Sequence, residues 1–131
     1  NGRLDDIRQA AAILKGKRIA KGVRMIVTPA SRNVYLQAAR EGLIEALTAA
    51  GASVEAAGCG TCVNITGHLI TGDGDVVISS ANRNFKGRLG NDNSEIYVGS
   101  AATVAASALT GVITDPRTVE GGAWRPVSKA A

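Results

Sequence analysis

The spacing of apolar residues divides the chain into helices and short strands. In residues 4–15 apolar side chains recur three or four positions apart, which predicts an amphipathic helix that Gly16 ends. The same period predicts a long helix over residues 33–49, with Ser31 as its N-cap. A third helix, rich in small residues, is predicted over residues 101–109.

Four short runs of β-favouring residues separate these helices and predict strands. They comprise residues 23–28, 53–56, 76–79 and 95–98. The first two runs flank the long helix, which is the order of a βαβ unit with a right-handed crossover. The pattern therefore predicts an α/β fold, and we expect a three-layer α/β/α domain with a small, mostly parallel sheet. In such sheets ligands bind outside the carboxyl ends of the strands.

Length and composition fit a single domain. The chain has 131 residues, of which 45% are hydrophobic, and its core residues are mainly Ala, Val, Ile and Leu. No apolar run approaches the length of a membrane span, and no secretory signal opens the chain. We therefore expect a cytoplasmic protein without a membrane partner.

The net charge of +4 changes this picture little. Fifteen basic residues oppose eleven acidic ones, but they are spread along the chain and are not interleaved with aromatic residues. A nucleic-acid interface is therefore not favoured. A small anionic metabolite needs only two or three well-placed cations, so the same excess suits an acidic ligand.

The chain contains two cysteines, Cys59 and Cys62, separated by Gly and Thr, just after the second predicted strand. Such a pair suits a disulfide, a redox site, half of a metal site or an unremarkable reduced pair. With His68 as the only histidine, at most three Cys or His ligands are available, fewer than a structural zinc site needs. Spacing alone does not decide whether the pair is oxidised, redox-active, metal-bound or simply reduced.

Residues 82–88 (Asn-Arg-Asn-Phe-Lys-Gly-Arg) contain the highest concentration of candidate functional side chains in the sequence. Arg83 and Arg88 in one loop suit the bidentate recognition of carboxylates, although a solvated charged loop would have the same composition. Asp73 and Asp75 lack the remaining ligands of a calcium loop and are interpreted as turn residues.

Taken together, the cysteine pair and residues 81–88 resemble motifs of the aconitase superfamily, most closely those of 3-isopropylmalate dehydratase large subunits. Homoaconitase and dimethylmalate dehydratase relatives are similar too. Residues 1–6, 22–27, 41–44 and 113–117 also resemble family segments. The resemblance implies a cluster-binding α/β domain over residues 1–117, part of a larger subunit, followed by a C-terminal tail over residues 118–131.

The resemblance implies that Cys59 and Cys62 bind a [4Fe–4S] cluster and that Asn82, Arg83 and Arg88 bind substrate. The implied enzyme is a hydro-lyase of leucine biosynthesis that interconverts 3-isopropylmalate and 2-isopropylmaleate; homoaconitate, citrate or aconitate and dimethylmalate are alternative substrates. The implied partners are the remainder of the large subunit, a small swivelling-domain subunit that supplies the catalytic base, and the hydroxy-dicarboxylate substrate. No catalytic base is expected in this chain.

The sequence departs from the family pattern at several positions. Thr61 replaces the usual Pro, and Val63 and Asn64 follow the pair where Leu-Gly or Ile-Gly is common. The third cluster cysteine is expected two positions before Asn1. The chain alone is therefore expected to be inactive and not to hold the cluster stably, and a cluster-free binding or assembly module is the alternative function. A thiol oxidoreductase is a third, less favoured one.

Overall fold

The structure, a computed structural model, describes residues 1–62 and 71–119, with the backbone alone at Cys62. The predictions about Val63, Asn64 and His68, and most of the predicted tail, lie outside the described residues. Helices and parallel strand pairs make up the described part, and this confirms the α/β class.

The three regions predicted to be helical form four α-helices in the described part of the chain. Ser31 and Ser100 each accept a hydrogen bond from a backbone N–H in the first turn of the following helix, as N-cap residues do. The prediction of one long helix over residues 33–49 is wrong, because Gly42 adopts a left-handed conformation (φ 75°) that divides it. The helices are α1 (Leu4–Leu14), α2 (Arg32–Arg40), α3 (Leu43–Ala50) and α4 (Ala101–Thr110).

The strands form two separate parallel pairs among the described residues. β1 (Ile26–Val27) pairs with β2 (Ser53–Val54), so the predicted βαβ unit is confirmed, with α2 and α3 in its crossover. β3 (Val76–Ser79) pairs with β4 (Glu95–Val98) over their whole length. The strands are parallel as predicted, but the expected single sheet is found as two two-stranded sheets.

The core lies around α1, which packs against each of the other three helices. Its apolar stripe is almost fully buried, and Leu14 has no exposed surface. Small side chains such as Ala102 and Ala105 let α4 approach closely, and both are fully buried. The core residues of α1 are Ile7, Ala10, Ala11, Ile13 and Leu14.

A surface ion pair joins α1 to the corner between α2 and α3. Two guanidinium nitrogens of Arg8 donate to the two carboxylate oxygens of Glu41, at 2.8 and 2.6 Å. These charge-assisted hydrogen bonds lower the pKa of Glu41. No helix in the described part of the chain is long and apolar enough to cross a membrane.

Candidate functional site

The cysteine loop, which we define as residues 59–62, packs against the carboxyl end of β1. Residues Gly60–Cys62 form a single 3₁₀ turn, and the thiol of Cys59 is exposed and not part of a disulfide. Gly60 has a left-handed backbone (φ 51°), and a Cβ there would lie 2.2 Å from Oγ1 of Thr28. Only glycine lets the loop approach the strand this closely.

The first residues of the chain lie against the same end of β1. The carbonyl of Gly2 accepts a hydrogen bond from the backbone N–H of Ala30 at 2.8 Å. A Cβ on Gly2 would lie 2.2 Å from the carbonyl oxygen of Thr28. The nitrogen of Asn1 also donates to the carbonyl of Ser80, just after β3, at 3.4 Å.

Three segments that are distant in sequence therefore converge where β1 and β3 end. They are the chain start, the cysteine loop and the beginning of the arginine loop, which we define as residues 81–88. Thr28 is the contact that the chain start and the cysteine loop share, since Gly2 packs on its carbonyl and Gly60 on its side chain. Thr28 was not among the residues predicted for the site; its place at the end of a predicted strand, directly before Pro29, was the available signal.

Hydrogen bonds within the arginine loop hold its backbone conformation. The amide of Asn84 donates to the carbonyl of Ala81 at 3.0 Å, and the N–H of Arg88 donates to the carbonyl of Phe85. The guanidinium carbon of Arg88 lies 5.4 Å from the centre of the Phe85 ring, a cation–π contact. Sequence spacing gave no sign of this pairing, which restrains Arg88.

The side chains predicted to bind substrate differ in exposure. Asn82 and Arg83 are exposed, and Arg88 is half-buried. Arg83 makes no hydrogen bond or ion pair with residues 1–62 or 71–119, so its five donors are available to an anion. Lys86 is exposed as well.

Hydrogen bonds connect residues 71–73 to residues 89–93, the segment that follows the arginine loop. The buried hydroxyl of Thr71 donates to the carbonyl of Leu89 at 3.3 Å. One oxygen of Asp73 accepts hydrogen bonds from the side-chain amides of Asn91 and Asn93, at 2.9 and 3.1 Å. These two donors lower the pKa of Asp73. These hydrogen bonds are consistent with the interpretation of Asp73 as a turn residue.

The metal-binding prediction concerns Cys59 and Cys62. The cysteine loop carries both, and the chain contains no further cysteine. Within residues 1–62 and 71–119, no three His, Cys, Asp or Glu side chains are grouped to hold a metal ion. The donor set therefore fits two corners of a thiolate-bound cluster but not a complete site. The assignments of Cys59, Cys62, Asn82, Arg83 and Arg88 stay predictions.

Relatives with closely similar sequences carry one name. A protein of Archaeoglobus fulgidus named 3-isopropylmalate dehydratase large subunit 2 is 56% identical over 117 residues. That match covers 89% of this chain and 28% of the relative. Large subunits of 3-isopropylmalate dehydratase from Elusimicrobium minutum and Nitratidesulfovibrio vulgaris are each 52% identical, over 119 and 120 residues. Each match covers 91% of this chain and 28% of the relative.

A family model gives the same result over most of the chain. The model of the aconitase family (aconitate hydratase) matches residues 1–111. This range includes the chain start, the cysteine loop and the arginine loop, the three segments that converge beyond β1 and β3. The chain spans about 28% of the length of the curated relatives it matches. With these matches to its sequence and this grouping of its motifs, the chain belongs to the aconitase family.

Proposed function

We propose that this chain is the part of an iron–sulfur hydro-lyase that carries two cluster cysteines and the substrate-binding arginines. The reaction is the reversible removal of water from a small hydroxy-dicarboxylate, with 3-isopropylmalate and 2-isopropylmaleate as the leading pair. The convergence of the chain start, the cysteine loop and the arginine loop at the carboxyl ends of β1 and β3 carries this proposal. The names of the relatives from Archaeoglobus and Elusimicrobium support the choice of substrate.

Cys59 and Cys62 would hold two irons of a [4Fe–4S] cluster as thiolates. Because these are the only two cysteines of the 131 residues, a third thiolate has to come from outside this chain. When bound, the cluster supplies an iron that acts as a Lewis acid toward the leaving hydroxyl group. Gly60 would fix the direction of the cysteine loop through its contact with Thr28.

Arg83 and Arg88 would bind the two carboxylates of the substrate. A guanidinium group matches a carboxylate with two parallel hydrogen bonds, which fixes both position and orientation. Positive charge beside a carboxylate also stabilises the negative charge that develops as the neighbouring carbon loses its proton. Asn82, which is exposed beside them, would donate a hydrogen bond to substrate or to a cluster ligand.

The proton-transfer step needs a partner. Elimination moves a proton from carbon to a base, while the C–O bond breaks and the leaving hydroxide takes a proton from a general acid of the complete enzyme and departs as water; hydration reverses these transfers. We assign the base to a small swivelling-domain subunit, as the family resemblance implies. The remainder of the large subunit is the second proposed partner.

Anaerobic reconstitution with iron and sulfide tests the cluster assignment. We expect no stable brown cluster in the 131-residue chain, whereas the longer large subunit should bind one with the small subunit present. Cys59→Ser in the longer protein should abolish cluster binding. A chain that keeps its visible absorption after desalting, or a Cys59→Ser variant that binds the cluster normally, would contradict the assignment.

Steady-state kinetics of the two-subunit enzyme test the substrate assignment. Arg83→Gln should raise KM or lower kcat/KM by about 10- to 100-fold, since a charge-assisted hydrogen bond contributes about 1.5–3 kcal/mol. Lys86→Gln is the matched control, an exposed cation of the same loop that should leave both constants unchanged. Equal effects of the two substitutions would show that the loop provides only diffuse charge.

The alternative function is a cluster-free binding or assembly module, which the presence of only two thiols favours. It predicts that the longer protein with its small subunit folds but neither binds iron nor dehydrates any substrate. Homoaconitate, citrate, aconitate and dimethylmalate belong in the same assay. Activity on one of these in place of 3-isopropylmalate would keep the hydro-lyase proposal and replace its substrate.

A further inference from the structure

Phe85 is the only phenylalanine of the chain, and it lies in the arginine loop. Its side chain is 60% exposed, and it is not one of the residues that form the hydrophobic core around α1. Core packing therefore does not account for this ring. The contact that the structure shows for it is with the guanidinium of Arg88, three residues later in the same loop.

A tight turn brings Phe85 and Arg88 together. The N–H of Arg88 closes this four-residue turn by donating to the carbonyl of Phe85 at 3.0 Å. Gly87, the third residue of the turn, has φ 80°, a value that the third position of a type II turn requires. A turn holds the Cα atoms of its first and fourth residues within about 7 Å of each other. The guanidinium carbon of Arg88 accordingly lies 5.4 Å from the centre of the ring.

Residues after the turn hold it in place. A Cβ at Gly87 would overlap Oδ1 of Asp92, so the carboxyl group of Asp92 packs directly on the turn. Leu89, the residue that follows the turn, is buried. The backbone at Arg88 is therefore held on both sides. The direction of its long side chain is left to side-chain contacts, and the ring of Phe85 provides one of them.

A ring contact restrains a guanidinium without occupying its hydrogen-bond donors. A cation–π contact is the attraction of a positive charge to the face of an aromatic ring, and it needs no N–H donor. The N–H groups of Arg88 therefore remain suited to hydrogen bonds, including the parallel pair that binds a carboxylate. An arginine side chain also loses rotamer freedom when it binds a ligand, and a side chain that is already restrained loses less.

We propose that Phe85 is a positioning residue for substrate binding, whose ring holds the guanidinium of Arg88 in the direction in which it binds a substrate carboxylate. This inference rests on the proposed function, in which Arg88 binds substrate, and it deepens that function by adding a residue that acts through Arg88. Within residues 1–62 and 71–119 this is the only cation–π contact, so Arg83 has no such restraint there. The two predicted carboxylate ligands are therefore held in different ways.

Steady-state kinetics of the two-subunit enzyme with substitutions at position 85 test the proposal. Phe85→Leu keeps an apolar side chain but removes the ring, and it should raise KM about 3- to 10-fold with a smaller change in kcat. Phe85→Tyr and Phe85→Trp keep an aromatic face and should have a KM within about twofold of the wild type. Because the ring is largely exposed, the urea midpoint of the Phe85→Leu variant should equal that of the wild type.

Two further measurements show whether the ring acts through Arg88. In an Arg88→Gln background, Phe85→Leu should raise KM no further, because the contact that it removes is already absent. NMR of the 131-residue chain gives a readout that does not depend on activity. The Cδ protons of Arg88 should show an upfield ring-current shift that disappears in Phe85→Leu and persists in Phe85→Tyr. The Cδ protons of Arg83 are the matched control and should not shift in either variant.

Three outcomes would overturn the role of Phe85. An unchanged KM in Phe85→Leu, when Arg88→Gln raises KM, would show that Arg88 does not need the ring. Additive effects of the two substitutions would show that the ring acts on something other than Arg88. Weaker association of the Phe85→Leu variant with the small subunit would assign the exposed ring to that interface. Wild-type kinetics of Arg88→Gln would instead refute the proposed substrate role of Arg88 itself, and the inference with it.

Discussion

The contact between Gly60 and Thr28 gives a sharp test of how the cysteine loop is held. A Cβ placed on Gly60 would lie 2.2 Å from Oγ1 of Thr28 and 2.9 Å from its Cβ and Cγ2. Two costs therefore follow from Gly60→Ala. The left-handed backbone costs a non-glycine residue about 1–2 kcal/mol, and the overlap with a β-branched side chain adds about 1–3 kcal/mol.

Gly16→Ala separates these two costs. Gly16 also has a left-handed backbone (φ 73°), but a Cβ there would meet no atom within 4 Å. Gly16→Ala should therefore lower the free energy of unfolding by only the backbone cost of about 1–2 kcal/mol. Gly60→Ala should lower it by about 2–5 kcal/mol. Urea unfolding followed by circular dichroism measures both differences by linear extrapolation.

Thr28→Ala provides the second control, because it removes Oγ1 and Cγ2 and leaves only the Cβ at 2.9 Å. In the Thr28→Ala background, Gly60→Ala should cost at least about 1 kcal/mol less than in the wild type. The steric overlap between position 60 and Thr28 is refuted if Gly60→Ala costs no more than Gly16→Ala, or if the two substitutions at positions 28 and 60 are additive. Either result would mean that the cysteine loop does not pack on Thr28.

Three further predictions concern titration and reactivity. The guanidinium of Arg117 lowers the pKa of Asp115 from 3.8 to about 2, so an NMR titration of the carboxyl carbon should show this midpoint, and Arg117→Gln should return it toward 3.8. Arg8 lowers the pKa of Glu41 from its usual 4.5, so the ion pair stabilises the fold above pH 4.5 and this contribution disappears as the pH falls through the lowered value. The difference in unfolding free energy between wild type and Glu41→Gln should therefore close on acidification; a difference that is constant with pH would contradict this. The exposed thiol of Cys59 should react with a maleimide in the folded chain without denaturant, and mass spectrometry after proteolysis would identify the site; a Cys59 that is labelled only after unfolding would contradict this.

Local sequence patterns correctly predicted the helices and strands whose ends are determined by residues within or next to the helix or strand itself. Ser100 and Gly111 mark the two ends of α4, because a side-chain cap and a left-handed glycine act within one turn. The residue ranges of β3 and β4 were likewise predicted correctly. The long helix was predicted wrongly, because the apolar period continues across Gly42 while its backbone does not. The spacing of apolar residues shows which face of a helix is buried. It does not reveal a break in the helix when the residues on both sides of the break keep that face buried.

The candidate site was predictable only in part, for a related reason. Residue type and spacing singled out Cys59, Arg83 and Arg88, and the family resemblance connected them. Neither showed that Thr28 is the surface on which the cysteine loop and the chain start pack, because these contacts join residues far apart in sequence. The close approach of Gly60 to Thr28 depends on where the end of β1 lies in the fold, and no local sequence pattern gives that distance.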